Sequence, residues 1–154
     1  RRYRFIWVAN LDLQFAEKKL LNNLKIILKT KKEAITILNN YFKGGVGKSK
    51  LSSMFAYIAD KFNLKVLMID KDLQGTLTKD LAKTFKFNDP RKNFYEGLKN
   101  GNLTTSIVHL TENLDLIPAT FDLMLLPKLT RSWTFENESK LLSELLKPIK
   151  KIMT

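Results

Sequence analysis

From Glu33 onward, two hydrophobic patterns alternate along the chain. Ala34-Ile35-Thr36-Ile37-Leu38, Val66-Leu67-Met68-Ile69 and Asn113 to Ile117 are short apolar runs, the last closed by Pro118. Runs this continuous mark strands covered on both faces, as in a parallel sheet. Between the first two, Leu51, Phe55, Ile58, Ala59 and Phe62 recur at three- and four-residue spacing. That period predicts a helix over Lys48 to Phe62, closed by Asn63, a residue that tolerates the left-handed conformation. Thr76 to Phe87 reads as a helix. Phe94 to Lys99 and Leu103 to Leu110 read as short helices split by Asn100-Gly101-Asn102. Phe121 to Lys128 is a further short helix, and Glu136 to Lys147 a longer one with Leu141, Leu142, Leu145 and Leu146 as its core stripe. Strand and helix in alternation predict an α/β fold, a doubly wound and mainly parallel sheet.

Residues 1–28 follow a different pattern. An aromatic, basic start precedes Leu13, Ala16, Leu20, Leu24 and Ile27, which form one helical stripe with Lys18, Lys19 and Lys25 off it. This stretch reads as a basic amphipathic helix for a membrane surface, DNA or a partner, as a helix packed on the domain, or as sequence not native to the folded protein.

Composition narrows the class. A chain of 154 residues, 44% hydrophobic and 27% charged, suits one soluble domain with a real core. No apolar stretch reaches the roughly 20 residues of a membrane span. Arg1-Arg2-Tyr3-Arg4-Phe5-Ile6-Trp7 has too short an apolar region for a signal peptide. With no cysteine there is no disulfide or thiolate metal site, and His109, the single histidine, makes no metal cluster alone. The net charge of +12 is uneven: residues 1–32 hold nine Lys/Arg against Asp12 and Glu17. Such a balance permits contact with phosphate backbones or an anionic surface without demanding it. The chain starts at Arg1 and ends at Lys150-Lys151-Ile152-Met153-Thr154 directly after a helical pattern, so the domain is expected to be truncated at its carboxyl end.

Lys43-Gly44-Gly45-Val46-Gly47-Lys48-Ser49 lies between the first strand and the first long helix. Strand, Gly-rich turn and helix in that order are what a phosphate-binding loop needs. Glycines let backbone N–H groups close on an anion, and the helix adds the positive end of its dipole. Lys48 supplies a mobile cation for the β- and γ-phosphates, and Ser49 a hydroxyl for magnesium. The second strand ends in Asp70-Lys71-Asp72-Leu73-Gln74-Gly75-Thr76-Leu77-Thr78. Ligands of open α/β sheets sit beyond the carboxyl ends of the strands, so loop and acidic turn are expected on one edge. Asp70 and Asp72 can then divide the work, one near magnesium and one near an attacking water.

The loop resembles the deviant Walker A sequence, Lys-Gly-Gly-x-Gly-Lys-[Ser/Thr], of the ParA/MinD family of P-loop ATPases, with Phe42 where the general P-loop has its first glycine. Asp70, Asp72, Gln74, Gly75 and Thr78 match the second motif of the family's plasmid and chromosome partition branch, with Leu73 where proline is usual. Leu114-Asp115-Leu116-Ile117-Pro118-Ala119, with Asp122-Leu123 following, is similar to the family's third strand and its exit. The resemblance runs from about Lys32 to Lys150. It divides the chain into a basic extension over 1–30 and the amino-terminal part of a P-loop ATPase domain over 31–154.

The resemblance implies ATP and Mg²⁺ as ligands. Lys43, Gly44, Gly45, Val46, Gly47, Lys48, Ser49 and Lys50 would hold the nucleotide, Lys50 standing where the family prefers Thr. Lys43 would reach across a sandwich homodimer to the other subunit's nucleotide. Ser49 would bind magnesium, Asp70 would contact it through water, and Asp72 would position the hydrolytic water. The implied function is ATP hydrolysis in plasmid or chromosome segregation: a cytoplasmic, nucleoid-associated dimer on non-specific DNA, stimulated by a centromere-binding partner protein. A MinD-like ATPase that positions material on a membrane, and a nucleotide-binding remnant without turnover, are the alternatives. The family's third motif, an apolar strand ending in Asp-Cys-Pro-Pro or similar, does not occur in the chain.

Overall fold

The computed structural model describes residues 5–9, 35–39, 47–129 and 135–153. In chain order the elements are β1 (Phe5–Ala9), β2 (Ile35–Asn39), α1 (Lys48–Lys61), β3 (Val66–Asp70), α2 (Thr76–Phe85) and α3 (Phe94–Lys99). A 3₁₀ turn (Leu103–Ser106), β4 (Val108–His109) and β5 (Leu114–Ile117) follow. A second 3₁₀ turn (Phe121–Leu125) runs into α4 (Leu126–Leu129), and α5 spans Phe135–Met153. The helix expected over Leu13 to Ile27 lies outside the described residues.

The strands form one sheet in the order β2-β1-β3-β5-β4. All pairings are parallel except that of β4 with β5. β3 and β5 are buried along their whole length. Successive side chains point to opposite faces of a strand, and here they divide two cores. Val66, Met68, Leu114 and Leu116 meet Phe55, Ala56 and Ala59 of α1 and Leu77 and Leu81 of α2. Leu67, Ile69 and Ile117 meet Phe94 of α3, Leu103, Leu123, and Leu145, Leu146 and Ile149 of α5. Helices on both faces make the sheet doubly wound, as the alternating pattern predicts. A helix as short as α2 is marginal in isolation; burying Leu77 and Leu81, each contributing about 1.5–3 kcal/mol, holds it in place.

The structure departs from the sequence expectation at four places. β1 is an interior strand of the sheet, paired over five residues with β2 on one side and β3 on the other. Leu103 to Leu110 is not one helix: the 3₁₀ turn, capped by Asn102 accepting from Thr104 N–H, gives way at Ile107 to extended backbone. β-Branched Ile107 and Val108 favour that conformation, and Val108 pairs with Leu116. Phe62 leaves the core stripe of α1 and is 62% exposed. It caps the helix, and Asn63 turns the chain away at φ 54°. α5 continues through Pro148 to Met153. Proline disfavours helix at the residue before it, but Ile149 is buried against the second core and holds the extra turn there.

Candidate functional site

The carboxyl ends of β2 and β3 lie at one level. Asn39, the last residue of β2, and Asp70, the last of β3, are both in register with Ala9 of the strand between them. The chain that leaves β2 toward the Gly-rich loop and the chain that leaves β3 toward the acidic turn therefore start from the same sheet edge. Lys43, Gly44, Gly45 and Val46 lie outside the described residues.

Gly47 closes the loop and caps α1 at φ 84° and ψ 13°. That left-handed conformation is routine for glycine and strained for a residue with a Cβ. The Gly47 carbonyl accepts the first helical bond, from Leu51 N–H at 2.8 Å. Lys48 is the first residue of α1, Ser49 behind it is half-buried and Lys50 is exposed. The first turn of α1 carries no acidic side chain, so nothing there offsets the positive end of the helix dipole. The first N–H groups of a helix lack partners within it, so this end suits an anion.

Asp70 has the same strand parity as Val66 and Met68, which places it on the face covered by α1 and α2. Its carboxylate is buried. Oδ1 accepts from Asp72 N–H at 3.0 Å, and Oδ2 accepts from the backbone N–H and the hydroxyl of Thr78 at 2.9 and 2.7 Å. Burial pushes the Asp70 carboxyl above its ordinary value of 3.8, against the pull of those hydrogen bonds and with a smaller push from the charge of Asp72. A carboxylate offers about four acceptor positions, of which three are filled.

Asp72 is half-buried. Its Oδ1 accepts from Gln74 N–H at 3.0 Å and its carbonyl from Gly75 N–H at 2.9 Å, the two bonds that make the turn. Gly75 caps α2 at φ 56°, and a Cβ there would lie 3.8 Å from that of Ala119. Leu73 is 51% exposed, so the residue found in place of proline alters no core packing. Sequence reasoning assigned no task to Thr78 beyond motif membership. The structure joins it to both Asp70 and the Ala119 amide. A threonine in the first turn of a helix that follows an acidic strand end is the signal for such a bridge.

A family model described as an AAA domain (AAA_31) matches residues 32–153, a span that includes both the Gly-rich loop and the acidic turn. Over 106 residues the chain is 32% identical to the cell division protein PomZ of Myxococcus xanthus (strain DK1622). That alignment covers 64% of this chain and 33% of PomZ, so the chain spans about a third of that relative's length. Since the match takes in most of the chain and both of its motifs, the chain belongs to the ParA-type family of P-loop ATPases.

Proposed function

We propose that the protein is an ATP-binding and ATP-hydrolysing partition ATPase of plasmid or chromosome segregation. The observation that carries this reading is the common sheet edge: an acidic Asp70-Lys71-Asp72 turn with Gln74-Gly75 leaves it at the same level as the chain that leads into the glycine-capped start of α1, one strand intervening. Lys43 and residues 44–50 hold the phosphate chain, with Lys48 the dominant cation. Magnesium suits hard oxygen donors. Ser49 offers a half-exposed hydroxyl, and the remaining acceptor position of Asp70 suits a water-bridged contact better than direct ligation. The cation neutralises charge developing on the phosphates. Asp72, held in its turn and not enclosed, orients the attacking water.

In this reading Lys43 completes the site of a second subunit, so ATP favours a homodimer. That dimer binds DNA without sequence preference in the cytoplasm, on the nucleoid, and a centromere-bound protein stimulates turnover. A second reading is favoured by the similarity to PomZ, a cell division protein: a positioning ATPase with the same chemistry and a different cargo. No helix among the described residues is long and apolar enough to cross a membrane.

Titration with a fluorescent ATP analogue tests the chemistry. Lys48→Ala removes a charge-assisted contact worth about 1.5–3 kcal/mol, so affinity is expected to fall tenfold or more. Equal binding by variant and parent overturns the assignment. Filter binding of unrelated DNA duplexes at about 50 and 200 mM salt, beside liposome co-sedimentation, tests the output. ATP-dependent DNA binding that weakens steeply with salt supports partition on DNA. Lipid binding without DNA binding moves the protein to the MinD-like membrane reading.

A further inference from the structure

Three elements meet at Thr78. Its hydroxyl donates to Asp70 Oδ2 at 2.7 Å and accepts from Ala119 N–H at 2.9 Å. Its backbone N–H donates to the same Asp70 oxygen at 2.9 Å. A hydroxyl has a single proton to donate, and here it is committed to Asp70, so the direction of the bridge is fixed: Ala119 to Thr78 to Asp70. Asp70 in turn accepts from Asp72 N–H through its other oxygen. An unbroken chain of hydrogen bonds thus runs from the exit of β5, through the first turn of α2, to the backbone of Asp72. Gly75 closes against Ala119 at the same junction.

We propose that Thr78 is a positioning residue for ATP hydrolysis: by clamping Asp70 to the exit of β5 it fixes where the Asp72 carboxylate stands. The inference rests on the reading of Asp72 as the group that orients water. Thr78 touches neither nucleotide nor water in this scheme and acts only through the two acids. Asp72 hangs from a turn whose upstream anchor is Asp70 and whose downstream anchor is α2. The bond between Thr78 and Asp70 ties those anchors together across the turn. The bond to Ala119 ties both to a buried strand. Loss of the hydroxyl leaves the Thr78 N–H on Asp70 but cuts the tie to Ala119 and one of the two bonds to Asp70, so the turn can shift while the glycine-capped start of α1, on a separate segment, stays in place. Turnover should therefore suffer where nucleotide binding does not.

The test compares Thr78→Val, which keeps the shape and removes the hydroxyl, with Thr78→Ser, which keeps the hydroxyl. Asp72→Asn is measured in parallel, by single-turnover hydrolysis with protein in excess over ATP, together with equilibrium binding of an ATP analogue. The expected result is a tenfold to hundredfold slower chemical step for Thr78→Val, the scale of a misplacement of about 1 Å, with unchanged nucleotide affinity. Thr78→Ser should restore most of the rate, and amide hydrogen exchange at Ala119 should be fast in Thr78→Val and slow in Thr78→Ser. A normal rate in Thr78→Val beside a slow Asp72→Asn overturns the role of Thr78 alone. Equal loss of rate and affinity in Thr78→Val also overturns it, by reducing Thr78 to general stability. A normal rate in Asp72→Asn, or no hydrolysis by the parent, overturns the underlying reading and the inference with it.

Discussion

The backbone N–H of Asp72 donates to Oδ1 of Asp70 at 3.0 Å, so the first acid of the turn holds the backbone that carries the second. Asp70 is enclosed and already holds three donors. Asp72 is only half-buried, and its Oδ1 accepts from Gln74 N–H within the turn. An enclosed acceptor organises; a partly open one is available for chemistry.

Asp72→Ala should therefore lower kcat with little change in KM. A carboxylate that orients water acts chiefly in the transition state, where such groups contribute about 10²–10⁴-fold. Steady-state hydrolysis over a range of ATP concentrations checks this. A variant with the parent's kcat removes Asp72 from the mechanism.

The burial of Asp70 has a consequence for stability against pH. Its folded-state value lies above the ordinary 3.8. Between those two values the folded chain holds more of this proton than the unfolded chain, so the contribution of Asp70 to stability falls as pH rises through the window and is level above it. Urea unfolding of the parent and of Asp70→Asn at a series of acidic pH values measures the difference. The parent's stability relative to the variant should decline with rising pH and then flatten. A relative stability that grows with pH reverses the sign and shows the ionised form to be the favoured one.

Lys43 is proposed to act between subunits. Lys43→Ala should keep its affinity for a non-hydrolysable ATP analogue and remain monomeric in sedimentation velocity under conditions where the parent dimerises. Dimerisation equal to the parent's contradicts the assignment.

Gly97 sets a packing limit on the second core. A Cβ at this position in α3 would lie 2.7 Å from Ser106 Oγ and 2.8 Å from a Leu103 methyl group, closer than real Cβ atoms come. Gly97→Ala should destabilise the fold by about 1–3 kcal/mol, the usual cost of overpacking. Gly101→Asn, at φ 65° with open space around it, should cost less, because asparagine tolerates the left-handed region. Thermal unfolding of the two variants side by side measures the contrast.

What the sequence disclosed and what it withheld divide along the range of the interactions. β3 and β5 were legible as continuous apolar runs, and the left-handed Asn63 as the stop of α1. The Gly-rich loop and the acidic turn stand out in the sequence because their signals are local: glycines, lysines and acids at fixed spacing. β1 was not, because Phe5–Ala9 is a five-residue apolar run among arginines whose partners Ile35–Asn39 and Val66–Asp70 lie about 30 and 60 residues away. No local period reports a parallel pairing of that range. β4 was missed for a related reason: two residues become a strand only through β5. The bridge from Thr78 to Ala119 joins positions 41 residues apart and is likewise invisible before the chain folds.

The place of β1 has a mechanical meaning. The strand before the nucleotide loop and the strand that carries Asp70 are not neighbours, since each pairs with Phe5–Ala9 between them. Their separation is thus two strand spacings, about 9.6 Å, and direct pairing would shorten it to about 4.8 Å. β1 lies upstream of the family-matched span, yet it is the spacer that sets the distance between the strand before the Gly-rich loop and the strand that ends in Asp70. A one-residue slip of β1 against only one of its two partners would offset the loop strand from the acid strand even if neither of them changed shape.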